Sequence, residues 1–270
     1  YYKSQALNAT SELVAEGGRI VEERIEFDSP LGGRVAGAMV RPREGGKPRV
    51  LLLLHGFGGS KQDAMMVGVV LAGKGWATLG LDAAGHGDRK MPKEAFLDPD
   101  TGAAQKAMIQ TVVDYRRALD YLETREDLDS QGVGLIGASM GAMMGTLLAA
   151  VDDRISAALL IVGGGAWEKM VEASDHPVAV RFRERLADPV FAEELSNIDP
   201  VNYVAHIAPR PVWMLNGRQD QIVPPACAEA LHAAACEPKR VVWYDGGHIP
   251  DISLAIRVLN EWIDQWMTTT

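Results

Sequence analysis

Short apolar runs alternate with longer helical patterns along this chain, and that alternation limits the possible folds more than any other feature. Six runs have the composition of strands covered on both faces, at residues 50–54, 76–81, 133–136, 156–162, 211–215 and 240–244. Helical patterns follow them at residues 61–72, 103–122, 142–150, 224–235 and 252–266. Repeated strand-then-helix order predicts an α/β fold with a mostly parallel, twisted sheet and helices on both of its faces.

Two further segments refine this prediction. Residues 20–27 and 34–41 flank the turn-forming sequence DSPLGG and are predicted to form an N-terminal antiparallel hairpin. Residues 163–210 separate two predicted strands by far more chain than an ordinary connection needs. We therefore expect a single domain over residues 1–270, with residues 163–210 inserted as a small helical cap.

Composition excludes several classes of protein. The 270 residues are 47% hydrophobic with a formal net charge of −9, which disfavours a disordered chain and a nucleic-acid partner. No apolar run reaches the roughly 18 residues of a membrane span. We expect a cytoplasmic protein, with secretion as an alternative because the first residue is Tyr1 and the native N-terminus is missing. Cys227 and Cys236 are predicted to be free, buried thiols on one helix.

The pentapeptide Gly137-Ala138-Ser139-Met140-Gly141 has the pattern G-x-S-x-G, between a predicted strand and a predicted helix. A sharp turn of this kind exposes the serine hydroxyl above the sheet, beside a helix N-terminus that favours negative charge. We therefore predict that Ser139 is a catalytic nucleophile.

The loop His55-Gly56-Phe57-Gly58-Gly59 directly follows the predicted strand at 50–54. Its glycines allow backbone N–H groups to approach a ligand closely. The backbone N–H groups of Phe57 and Met140 are the predicted oxyanion hole. The side chain of His55 is expected to brace the loop instead of reacting.

A serine nucleophile needs a base, and the base needs a carboxylate that orients it. His248 and Asp220 both follow predicted strands, at the edge where open α/β sheets build their sites. We predict that His248 is the base and Asp220 the acid. Asp82 and Asp88 are the rival acids, for which loop-bracing hydrogen bonds are expected.

These motifs together resemble the α/β-hydrolase superfamily. The matching pieces are HGFGG at 55–59, DAAGHGD at 82–88, GASMG at 137–141, NGRQDQIVP at 216–224 and GGH at 246–248. The N-terminal hairpin and compact size are similar to dienelactone-hydrolase and prolyl-oligopeptidase-related esterases. One departure is that dienelactone hydrolases proper carry a cysteine where this chain has Ser139.

The resemblance implies an acyl-transfer hydrolase, and we expect a serine carboxylesterase that acts on a small-molecule ester, with no metal and no cofactor. Phe57, Met140, Trp167 and His176 are the predicted substrate-binding residues, and a small acyl group is expected. Two alternatives stay open: a hydrolase with the same triad acting on a peptide, amide, thioester or carbon–carbon bond, and a non-catalytic ligand-binding protein on this fold. The oligomeric state is also open, with an edge strand or the last helix as candidate surfaces for a homodimer.

Overall fold

The computed structural model describes residues 3–96, 98 and 102–269. Within these residues, nine strands form one sheet in the order β1-β2-β3-β5-β4-β6-β7-β8-β9. The strands are β1 (Thr10–Gly17), β2 (Ile20–Asp28), β3 (Arg34–Pro42), β4 (Arg49–Leu54), β5 (Ala77–Leu81), β6 (Asp129–Ala138), β7 (Ile155–Ile161), β8 (Val212–Gly217) and β9 (Lys239–Tyr244). Strands β4 to β9 pair in parallel, whereas β1, β2, β3 and β5 pair antiparallel in that order. The predicted α/β fold and N-terminal hairpin are therefore confirmed.

Strand β1 is an addition to the predicted fold. It pairs with β2 outside the hairpin and forms one edge of the sheet. Every residue of β1 is exposed, including Leu13 and Val14. Because neither face of this strand packs against a core, its sequence lacks the alternation by which half-buried strands are predicted.

Helices cover both faces of the sheet. They are α1 (Lys61–Ala72), α2 (Lys93–Phe96), α3 (Ala103–Glu123), α4 (Met140–Val151), α5 (Trp167–Ala173), α6 (Pro177–Phe182), α7 (Pro189–Ser196), α8 (Pro225–Ala234) and α9 (Ile252–Thr269). Helices α1 and α9 share one apolar cluster, which contains Trp76, Trp262 and Trp266. Helices α3, α4 and α8 contribute to the cluster on the opposite face. None of the helices in the described residues is both long and apolar enough to cross a membrane.

Local sequence explains where two of these helices begin. At the start of α1, Ser60 accepts a hydrogen bond from Gln62 N–H, and Asp63 accepts one from Ser60 N–H, as in a capping box. Helix α4 is almost entirely buried, in keeping with its uncharged sequence MGAMMGTLLAAV. Both helices begin at the carboxyl edge of the parallel strands.

The segment between β7 and β8 contains α5, α6 and α7 together with short 3₁₀ helices at Arg183–Ala187, Pro200–Asn202 and Val204–Ile207. One prediction for the helix that follows β8 is wrong. Helix α8 ends at Ala234, so Cys236 lies beyond the helix and is exposed, whereas Cys227 is buried. Burial raises the pKa of the Cys227 thiol to about 11.

Candidate active site

Ser139 occupies the turn between β6 and α4 in a strained conformation. Its φ of 53° and ψ of −117° lie in a region that residues other than glycine rarely adopt. Backbone contacts hold it there, since Ser139 N–H donates to the Ile161 carbonyl at 2.8 Å. Gly141 allows α4 to begin against β4, because a Cβ at this position would collide with the Leu54 carbonyl oxygen. The hydroxyl therefore stands at the carboxyl edge of the central strands.

Side chains from two later loops complete a line of contacts that begins at Ser139. His248 follows β9 and places Nε2 2.9 Å from Ser139 Oγ. Its Nδ1 lies 2.8 Å from Asp220 Oδ2, in the loop after β8. A carboxylate oxygen only accepts, so Nδ1 donates to Asp220 and Nε2 can accept the serine proton. The structure thus brings together all three residues of the predicted triad.

Asp220 is itself held by the backbone. Its Oδ1 accepts hydrogen bonds from Ile222 N–H at 2.8 Å and Val223 N–H at 2.9 Å. Its side chain is 1% exposed, whereas that of His248 is 22% exposed. The carboxylate is therefore fixed in a buried position, while the imidazole stays accessible to a ligand.

The acid and histidine loops are fastened to each other. Gln219 N–H donates to the Gly246 carbonyl at 2.9 Å, and the Tyr244 hydroxyl donates to the Gly247 carbonyl at 2.5 Å. Burial raises the pKa of Tyr244 to about 12, so the phenol keeps its proton and remains a donor. Gly217 permits the close approach, because a Cβ there would collide with the carbonyl oxygens of both glycines. These contacts place His248 beside Asp220.

The loop after β4 lies against the serine turn. A Cβ on Gly56 would be 3.5 Å from Ser139 Cβ. Within the described residues, the backbone N–H groups of Phe57 and Met140 have no hydrogen-bond acceptor. Both predicted oxyanion-hole donors are thus available, and a loop glycine lies beside the backbone and Cβ of the serine turn.

His55 and Asp82 connect this loop to the segment after β5. His55 Nε2 accepts a hydrogen bond from Ala83 N–H at 3.0 Å, and its Nδ1 contacts the Gly56 carbonyl at 2.8 Å. Asp82 is fully buried, and its carboxylate accepts hydrogen bonds from Lys61 N–H at 2.8 Å and from Lys61 Nζ at 2.6 Å. Lys61 Nζ also contacts Asp88 at 2.7 Å. Both rival acids thus belong to a network that braces loops and does not include His248.

The other histidines lie elsewhere. His232 is buried and contacts Asn216 Oδ1 at 2.9 Å, and burial lowers its pKa to about 4. His206 is exposed on a 3₁₀ helix. His86 is buried beside the rings of His55 and Phe57, and burial lowers its pKa. None of these three contacts Ser139 in the part of the chain that the structure describes.

A cavity of about 130 Å³ has Ser139 in its wall. Phe57, Met140, Trp167 and His176, the four predicted substrate-binding residues, all line it. The rings of His176 and Phe57 pack edge to face at 4.8 Å, and burial, with a smaller contribution from nearby His248, lowers the pKa of His176.

Sequence reasoning missed much of this wall. It is completed chiefly by apolar residues that look like ordinary core residues in the sequence: Phe96, Ala104, Met108, Met143, Val171, Val178, Ala179, Leu195, Ile198, Ile222 and Val223. Phe182 and Phe191 stack on each other at 5.5 Å and also line the cavity. Tyr244 was missed as well, and its place two residues before the GGH motif is the one sequence signal that points to it.

A parallel sheet with helices on both faces and a Ser–His–Asp contact at its carboxyl edge is the architecture of an α/β hydrolase. The model of the alpha/beta hydrolase fold family matches residues 49–190, and the chain belongs to that family.

Three individual proteins similar to this chain are each less than 30% identical to it. The Mycobacterium tuberculosis (strain ATCC 25618 / H37Rv) protein Rv2307c is 28% identical over 272 residues, covering 100% of this chain and 86% of that protein. The acetyl xylan esterase from Paenibacillus sp. R4 superposes with a TM-score of 0.82 at 24% identity, covering 97% of this chain and 90% of its own. Acetyl xylan esterase 1 from Thermoanaerobacterium sp. JW/SL YS485 gives 0.78 at 18% identity, covering 98% and 89%. At these identities the two structures establish a shared fold.

Proposed function

We propose that this chain is a serine carboxylesterase that hydrolyses small-molecule carboxylic esters through an acyl-enzyme on Ser139. The observation that carries the proposal is the hydrogen-bonded line from Asp220 through His248 to Ser139, at the wall of an apolar cavity. A serine hydroxyl is a weak nucleophile until a positioned base takes its proton, and this geometry supports that transfer.

In the first half of the proposed reaction, Ser139 Oγ attacks the ester carbonyl carbon while His248 Nε2 takes the hydroxyl proton. The carbonyl oxygen becomes an oxyanion, which accepts hydrogen bonds from the N–H groups of Phe57 and Met140. One such donor is typically worth about 2.7–4 kcal/mol of transition-state stabilisation. His248 then gives its proton to the leaving alcohol as the tetrahedral intermediate collapses to the acyl-enzyme.

In the second half, a water molecule replaces the alcohol. His248 takes a proton from the water as its oxygen attacks the acyl carbon, and the same two N–H groups stabilise the second oxyanion. The proton returns to Ser139 Oγ as the carboxylic acid leaves. Asp220 keeps the imidazole in the tautomer that each step requires and stabilises the imidazolium.

We assign substrate contact to Phe57, Met140, Trp167 and His176, and treat residues 163–210 as a cap that supplies the latter two. Trp167 Nε1 donates to the Ile198 carbonyl at 3.0 Å, which fixes the indole in the cavity wall. His176 Nδ1 accepts from Val178 N–H at 3.2 Å, so its Nε2 carries the proton and is free to donate to a polar atom of the ligand.

The choice of an ester bond is supported by the structural neighbours, two of which are acetyl xylan esterases. A panel of p-nitrophenyl ester, thioester and anilide substrates with one acyl group tests this choice. We expect the ester to give the highest kcat/KM. Hydrolysis of only the thioester or the anilide would refute the esterase proposal and leave the triad standing.

The test of the nucleophile is Ser139→Ala. We expect this variant to lose p-nitrophenyl ester turnover and labelling by a fluorophosphonate probe, with an unchanged circular dichroism spectrum. Ser253→Ala is the matched control, since Ser253 is exposed at the start of α9 and should keep both properties. Retained turnover in folded Ser139→Ala would remove Ser139 from its role.

A further inference from the structure

The cavity beside Ser139 is walled by side chains that suit an apolar group. Its walls come from α2 to α7, from the loop after β4 and from the chain that follows β8. Four methionines, four phenylalanines and one tryptophan contribute to it. Methionine is flexible and polarisable, so such a wall can adapt to aliphatic chains as well as to flat rings.

Charged groups find no partner in this cavity. Among the described residues that line it there is no Lys, Arg, Asp or Glu. Few polar side chains contribute to the wall. Ser174 Oγ donates to the Ile222 carbonyl at 2.5 Å, and Trp167 Nε1 is bonded as described above. Within the described residues, Gln105 Oε1 is buried without a hydrogen-bond partner, and His176 Nε2 can donate. Burying a charge or several hydroxyls here would cost more hydration than these two polar atoms can replace.

The size of the cavity limits the length of the group. A cavity of about 150 Å³ lined by aliphatic and aromatic side chains takes up one benzene molecule. The 130 Å³ observed here therefore has room for about five or six carbon atoms. The stacked rings of Phe182 and Phe191 form part of its wall. Arg185 packs over the Phe191 ring at 5.3 Å, so a further side chain supports this part of the wall.

We propose that the cavity is the acyl pocket, and that the preferred substrates are esters of uncharged, apolar acids of about five or six carbons, such as pentanoyl and hexanoyl esters. This inference rests on the proposed function, because the acyl carbon must be attached at Ser139. It differs from the small acyl group expected from the sequence. Acetyl esters leave most of the cavity empty and gain little from it.

The first test is a series of p-nitrophenyl esters from acetyl to decanoyl, in which the leaving group is constant. Each methylene buried in the pocket should raise kcat/KM by about threefold to fourfold, up to five or six carbons. Beyond that length kcat/KM should fall. A hexanoyl analogue that ends in a carboxylate should be a much poorer substrate than hexanoyl itself.

The second test shortens the pocket. Ala179 on α6 is buried and lines the cavity, and Ala179→Leu adds three carbons to its wall. We expect the ratio of hexanoyl to acetyl kcat/KM to fall by tenfold or more. Ala187→Leu is the matched control, because Ala187 is exposed in the same segment and does not line the cavity, so it should keep the wild-type ratio.

Three results would overturn the inference: highest kcat/KM for the acetyl ester, highest kcat/KM for the decanoyl ester, or an unchanged ratio in folded Ala179→Leu. The wild-type series decides the question even if that variant does not fold. Failure of the proposed function gives a different result. In that case the wild-type protein would hydrolyse no ester of the series, or the Ser139→Ala variant would hydrolyse the esters at the wild-type rate.

Discussion

Replacing Asp220 by asparagine changes one hydrogen bond in the site and keeps the others. The two backbone donors, Ile222 N–H and Val223 N–H, meet Oδ1, and an amide oxygen can still accept them. The amide nitrogen must then face His248 Nδ1, where Oδ2 now lies at 2.8 Å. Since an amide nitrogen donates, the imidazole has to accept at Nδ1 and carry its proton on Nε2.

The expected loss of activity follows from that tautomer. An Nε2 that already holds a proton cannot take the proton of Ser139, from which it lies 2.9 Å away. Reversing this bond in a serine triad lowers kcat by about 10⁴-fold, which corresponds to about 5.5 kcal/mol of transition-state stabilisation. The free energy of unfolding should change little, because the side chain keeps its shape and two of its three hydrogen bonds.

The assay measures kcat for a p-nitrophenyl ester together with the thermal unfolding midpoint. Asp82→Asn is the matched control, since Asp82 is also a buried aspartate but contacts Lys61 instead of His248. Removing the charge of Asp82 weakens a buried ion pair, so the main effect should be a lower thermal unfolding midpoint. The loss of kcat should be smaller than that of Asp220→Asn. If Asp82→Asn inactivates the protein while Asp220→Asn keeps its rate, the assignment of the acid is wrong.

Two further predictions concern the scaffold around the site. Gly217→Ala should force the acid and histidine loops apart and lower kcat by about 10²-fold, as misplacement by about 1 Å does. Gly17→Ala is the control and should leave kcat unchanged, because a Cβ at that position meets open space. Equal rates in the two variants would contradict the argument. His232 has its pKa lowered from 6.5 to about 4, so it stays neutral in the fold but takes up a proton on unfolding. Above pH 6.5 this histidine is neutral in both the folded and the unfolded state. Between pH 6.5 and pH 4 only the unfolded state takes up the proton, so the free energy of unfolding falls by about 3 kcal/mol over this range. The free energy of unfolding of His232→Gln, measured with denaturant at several pH values, should fall less at acid pH than that of the wild type. An identical pH dependence in the two proteins would disprove the role of this histidine.

Much of the site can be predicted from short stretches of sequence because its parts are local. The strand–GASMG–helix turn and the HGFGG loop are each specified by a few neighbouring residues, through turn chemistry and hydrophobic periodicity. Asp220 and His248 were selected by their position after predicted strands, and parallel strands bring such positions to one edge. That His248 contacts Ser139, and that Asp220 and not Asp82 contacts His248, is visible only in the distances.

The sequence by itself determined the order of strands and helices, the sharp turn at Ser139 and the candidates for its partners, because these depend on residues close together in the chain. Only the tertiary structure decided how distant segments pair and pack. It added β1, whose exposed residues carry no alternating pattern, and it assembled the cavity from helices far apart in sequence. Residues such as Met108 and Met143 look like ordinary core residues in the sequence, and they become cavity wall because the packed helices leave room between them.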